Sequence, residues 1–216
     1  GEAWGFNTTS DHGGDLQMTA GYAYGGRGGS ISLATGYSTS TSSGDISISS
    51  AHSGAAGVSG SMYLSTGNST AGFSGEVVIQ TGNAFQGESG SFTLSVGTAV
   101  DTPLYENDAH DGGDITLTAG ETTHARQTGG SVSITAGLGS SNDEIGGGSG
   151  GSVSITGGES YGLNKEADVS GSIHLTGGLA SAGYGGDITL ETGHSLSTSS
   201  GSLLMSTAHS GSDGVS

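Results

Sequence analysis

The residues best suited to chemistry in this chain are acidic. Asp108, Asp111 and Asp114 stand three apart in Asp108-Ala-His-Asp111-Gly-Gly-Asp114, beside a glycine pair. Closely spaced carboxylates at glycine turns offer the hard oxygen ligands that calcium takes. Calcium is thus the one cofactor the residues point to. The run lacks the nonapeptide pattern of calcium-binding β-rolls, and a solvated acidic loop is the stronger account of it. Asp15, Asp45, Asp114 and Asp187 each follow a glycine, and other copies carry Ser or Glu there. Turn residues that bond nearby backbone N–H groups explain them; a cation ladder would be irregular. The seven histidines are scattered without metal-ligand spacing, so no transition-metal site is expected.

Two glycosylation sequons occur, Asn7-Thr8-Thr9 and Asn68-Ser69-Thr70. They make Asn7 and Asn68 acceptors for N-glycans on a secreted chain, and the many Ser and Thr residues suit O-glycans. Catalysis has no comparable case. Arg27, Arg126 and Lys165 are the only strong bases, and no nucleophile elbow or triad pattern appears. The chain is read as not an enzyme.

These residues hang on a repeat, cleanest as Gly112-Gly113-Asp114-Ile115-Thr116-Leu117-Thr118-Ala119-Gly120. Its second small residue, the anchor, returns as Gly14, Gly29, Gly44, Gly60, Gly75, Gly90, Gly113, Gly130, Gly151, Gly171, Gly186 and Gly201. Aliphatic residues two and four after each anchor alternate with polar ones, the period of a strand with one apolar face. Anchors step mostly by 15 or 16 residues. A constant step with one strand per step predicts an all-β fold: a parallel β-solenoid, or flattened β-helix, of about twelve coils and roughly 15 residues per coil. The predicted core is two columns. One runs Ile31, Ile46, Met62, Val77, Phe92, Ile115 and Val132, and the other Leu33, Ile48, Leu64, Ile79, Leu94, Leu117 and Ile134. Small residues six after the anchor, such as Ala20, Thr35, Ser50, Thr66, Ala119 and Ala136, would close the narrow end. Glycine would serve the corners, where positive φ is needed. In that register Ile115→Asp is severe and Thr116→Asp is tolerated.

Longer steps insert loops in the middle coils, at Thr98–Asp111, Glu121–Thr128, Leu138–Ser149 and Glu159–Val169. A larger repeat lies above the first. Gly36-Tyr-Ser-Thr-Ser-Thr-Ser-Ser-Gly44 returns 157 residues later as Gly193-His-Ser-Leu-Ser-Thr-Ser-Ser-Gly201, and Gly5, Asn7 and Asp11 return as Gly162, Asn164 and Asp168. Residues 1–157 therefore read as a first nine-coil super-repeat and 158–216 as the start of a second. The chain is expected to be one continuous solenoid within a longer repetitive protein.

Composition limits the partners. Apolar residues are 31% and charged residues 11%, both below a globular domain, which leaves repetition as the organising device. Twenty acids against three bases give a net charge of −17. Such a chain repels nucleic acid and anionic membranes. No stretch is long and apolar enough to insert in a bilayer. With no cysteine, disulfides do not hold it.

The repeat Gly-Gly-Ser-Val-Ser-Ile-Thr-Ala-Gly (129–137), with Ala-His-Ser-Gly-Ala-Ala-Gly-Val-Ser-Gly-Ser (51–61), resembles the Gly/Ser/Thr-rich repeat arrays of large cell-surface or secreted proteins predicted in diatoms and related algae. The resemblance implies an extracellular or cell-surface structural part and brings no functional residues. The expected role is a fibre, surface filament or adhesive wall matrix, with the chain partnering itself end to end or laterally. Two alternatives stand beside it: an ice-binding solenoid using the Thr116/Thr118, Ser133/Thr135 and Ser154/Thr156 rows, and a calcium-stiffened adhesin.

Overall fold

A computed structural model describes residues 12–54, 57–100, 111–164 and 166–209. Among these residues there is no α-helix and no β-strand; the backbone is coil, interrupted by bends and short turns. The expected parallel β-solenoid is therefore corrected: among the described residues no sheet forms and no coil stacks on another through a backbone ladder. The accessible surface is 21,932 Å² for 20.8 kDa, where a compact monomer of that mass exposes about 9,000 Å².

The two core columns are corrected with it. Ile31, Ile46, Met62, Val77, Phe92, Ile115 and Val132 are 52–63% exposed. Leu33, Ile48, Leu64, Ile79, Leu94, Leu117 and Ile134 are 61–75% exposed. No described hydrophobic side chain is buried. The physical reason lies in the ratio of apolar area to chain ordered. Two aliphatics in some 15 residues, facing small side chains, remove too little apolar surface to offset backbone ordering within one chain. The hydroxyl rows suggested for ice binding likewise have no flat sheet to lie on.

The period itself persists, in a different physical form. Each aliphatic segment runs from its anchor to a closing residue seven positions on, usually glycine. A loop follows, and its far end returns to its start. The next anchor's N–H donates to the closing glycine's carbonyl: Gly29 to Gly21 at 2.9 Å, Gly44 to Gly36 at 3.1 Å, Gly130 to Gly120 at 2.8 Å and Gly201 to Gly193 at 2.8 Å. Gly151 to Gly137, Gly171 to Gly158 and Gly186 to Gly178 close in the same way at 2.8–2.9 Å.

Close approach, rather than positive φ, explains the anchor glycines. Among described glycines φ is positive only at Gly72, Gly87 and Gly147. A Cβ on Gly113 would sit 2.8 Å from Val96 Cγ1, and one on Gly130 would sit 3.0 Å from the Gly120 nitrogen. Val96 and Ala119 both lie six after the preceding anchor. The same relation joins Gly29 to Ala20, Gly44 to Thr35, Gly60 to Ser50 and Gly201 to Thr192. The small set therefore meets the next anchor instead of lining a core. Ala20, Ala119, Ala136 and Thr192 are half-buried while the residues beside them are exposed.

The chain divides into two compact units, Gly1–Leu94 and Ser95–Ser216. The first holds the evenly spaced copies from Gly14 to Gly90, and the second the copies from Gly113 to Gly201 with the long loops.

Since Ile115 and Thr116 are both exposed, Ile115→Asp and Thr116→Asp should each leave the far-ultraviolet circular dichroism of dilute protein unchanged. Collapse of the spectrum for Ile115→Asp alone would restore a buried column. Gly130→Val should instead remove the protection of the Gly130 amide from exchange, because its side chain meets the backbone of Gly120.

Candidate functional site

The polar geometry of the described chain is concentrated in the loops between a closing glycine and the next anchor. Most have one bend in the middle, at residues 24–26, 39–41, 70–72, 85–87, 181–183 and 196–198. The position two after the closing residue organises several of them. In Gly36–Gly44 it is Ser38, whose Oγ accepts the Thr41 N–H at 2.9 Å and pairs with Thr41 Oγ1 at 2.9 Å. In Gly193–Gly201 it is Ser195, with Thr198 at the same distances. In other loops it is small and half-buried, as Ala23, Thr122, Gly139 and Ala180. Tyr22 and Tyr24 flank Ala23 and meet edge to face, with centroids 5.1 Å apart.

Three of the long insertions are local structures. Within Glu121–Thr128 the His124 Nδ1–H donates to the Ala125 carbonyl at 2.9 Å, and Arg126 takes φ 65°. That φ is uncommon for a side chain with a Cβ and marks a left-handed turn. Within Leu138–Ser149, Asp143 Oδ1 accepts the Ile145 and Gly146 N–H groups at 2.9 and 2.6 Å. Gly147, at φ +55°, donates to the Asp143 carbonyl at 2.9 Å. The Gly146 and Ile145 amides stabilise the charged carboxylate and hold Asp143 below its usual range.

Within Glu159–Val169, Asp168 Oδ2 accepts the Asn164 N–H at 2.7 Å, and the Asp168 N–H returns to the Asn164 carbonyl at 2.9 Å. Asn164 Oδ1 also accepts the Glu166 N–H at 3.1 Å. A Cβ at 162 would strike the Asp168 carboxylate, which would have to move to admit it. An open recess of about 330 Å³ lies here, lined by Ser160, Gly162, Leu163, Asn164, Asp168 and Ser170. Tyr161 donates its hydroxyl to Glu159, which raises the phenol above its ordinary value. The recess presents hydroxyls and one carboxylate already engaged by backbone. This is the chemistry of a structured polar loop.

The sequence-predicted site residues fall as follows. Asp111 and Asp114 are exposed, while Asp108, the third residue of the calcium triad, lies outside the described residues. Among the described residues no three His, Asp or Glu side chains converge as metal ligands would. Asn7 lies outside the described residues; Asn68 is exposed, directly after the closing Gly67 and before the bend at 70–72. The carboxylates that accept backbone N–H groups among the described residues are Asp143 and Asp168, in loops, and not the four that follow anchors. Their signal was present as Ser-x-Asp and as the Gly-x-Asn-x-x-x-Asp spacing that recurs 157 residues apart. Among described residues no helix is long and apolar enough to cross a membrane. Compared with family models, curated proteins and solved structures, the chain matches none.

Asp143 gives a pH test. Its depressed native pKa means the loop contribution is present above the unfolded value and is lost as pH falls through the lower native value. The Ile145 and Gly146 amide resonances should therefore titrate with a midpoint below that of aspartate in a short reference peptide. Asp143→Ala should abolish the titration. A midpoint at or above the peptide's would show that the carboxylate is not held by those amides.

Proposed function

We propose that this chain is a structural component of an extracellular or cell-surface matrix. The observation that carries the reading is the surface. The chain exposes 21,932 Å², and its repeats present aliphatic segments and polar loops to the surroundings again and again along the sequence. Like surfaces repeated along one chain support many weak contacts at once, and their strengths combine. Such an array suits a fibre or a hydrated adhesive layer. The charge of −17 and the hydroxyl-rich loops hold water and keep chains apart until contacts form. The partners in this reading are other copies of the chain and matrix glycans, the latter carried on residues such as the exposed Asn68.

Location tests this directly. Antibody raised against the chain should label intact, unpermeabilised cells that make it, and the protein should fractionate with wall or matrix material. Label that appears only after permeabilisation would overturn the reading.

A further inference from the structure

Tyr22 and Tyr24 make the one aromatic contact among the described residues. Their loop is closed at its mouth by the Gly29 N–H on the Gly21 carbonyl at 2.9 Å, and it bends at residues 24–26. Ala23 is half-buried between them, so the tyrosines on either side share the outer flank of the loop. The rings meet edge to face, with centroids 5.1 Å apart and planes at 86°. Both stay open to solvent, Tyr22 at 82% and Tyr24 at 98%. In the loop Gly158–Gly171 the residues one and three after the closing glycine also come together, where Tyr161 donates to Glu159. The placement is therefore a property of the loop frame, and in Gly21–Gly29 both positions are phenols.

We infer that Tyr22 and Tyr24 are a site of oxidative cross-linking, joined ring to ring by hydrogen peroxide and a haem peroxidase. The inference rests on the matrix reading only for the place where the chain would meet such an oxidant. Each phenol gives up one electron and its hydroxyl proton. The two phenoxyl radicals join through ring carbons beside their oxygens, which forms one C–C bond. The hydrogens on those carbons leave as protons, and two protons return to the oxygens, so both rings are phenols again. The pair has then lost two electrons and two protons, and one hydrogen peroxide takes them up to become two waters. Proximity selects the partner: rings held in contact react at an effective concentration far above that of a second chain in dilute solution. The net charge of −17 keeps other copies apart at low salt and so disfavours links between chains. Tyr37, Tyr63, Tyr161 and Tyr184 have no aromatic partner among the described residues. Other covalent links have little to work with, since the chain has no cysteine and a single lysine, Lys165.

The full chain, dilute and at low salt, is treated with a haem peroxidase and hydrogen peroxide, digested with trypsin and weighed by mass spectrometry. Cleavage after Arg27, Arg126 and Lys165 leaves Tyr22 and Tyr24 as the only tyrosines of peptide 1–27. The expected result is a chain still of 20.8 kDa in which that peptide has lost the mass of two hydrogens and gained the fluorescence of dityrosine. Tyr24→Phe should abolish both changes in that peptide. The excised peptide 1–27 ends before Gly29, so its loop mouth cannot close, and it should couple at least about threefold more slowly. Links between peptides with 1–27 unchanged overturn the inference, as does coupling of the excised peptide at the rate of the whole chain. None of these results depends on where the cell places the protein, so the location experiment and this one fail separately.

Discussion

The constraint on which this structure depends is the close approach of two glycines across a loop. At seven of the loop mouths the closure is one N–H···O=C bond between an anchor and the preceding closing glycine, with little room for a side chain between them. Closing eight residues or fourteen changes the entropic cost little, since that cost grows only with the logarithm of loop length. The short loop Gly21–Gly29 and the long loop Gly137–Gly151 accordingly end in the same bond, at 2.9 and 2.8 Å. Insertions can lengthen the loops without disturbing the segments between them.

The closures are local, and locality decides the fate of the apolar residues. A bond between Gly120 and Gly130 fixes one loop mouth, but it brings no second apolar layer against Ile115 and Leu117. Those side chains keep more than half their surface. A chain with exposed aliphatics at every repeat would aggregate readily if it were neutral. Its charge of −17 opposes that and makes association sensitive to ions.

What the sequence made legible was the frame. The anchors, the aliphatic pairs and the small residue six after each anchor are real positions, and each small residue meets the next anchor. The all-β solenoid was not there, because alternation specifies which face of a segment is apolar and says nothing of whether a partner covers it. Glycine content suggested positive φ at corners, while most anchors serve close approach, and composition cannot separate those two uses. At the candidate sites the four Asp residues beside anchors drew attention through their regularity. Asp143 and Asp168 proved to be the ones that order backbone, through spacings of two to four residues that carry little signal inside a Ser- and Gly-rich chain.

The super-repeat shows which loop positions matter physically. Loops Gly36–Gly44 and Gly193–Gly201 differ at Tyr37 against His194 and at Thr39 against Leu196. Neither pair takes part in the Ser–Thr bonds, and Tyr37 and Leu196 project into solvent. The residues that make those bonds, Ser38, Ser40 and Thr41, are unchanged as Ser195, Ser197 and Thr198. Loops Gly21–Gly29 and Gly178–Gly186 differ far more, yet both keep an alanine two after the closing glycine, as Ala23 and Ala180, and both alanines are half-buried. Loops of this kind therefore share two glycines at the mouth and a small residue two after the first of them. Their remaining residues are free to set what the surface presents, which is how a chain with one repeated frame can carry differing surfaces along its length.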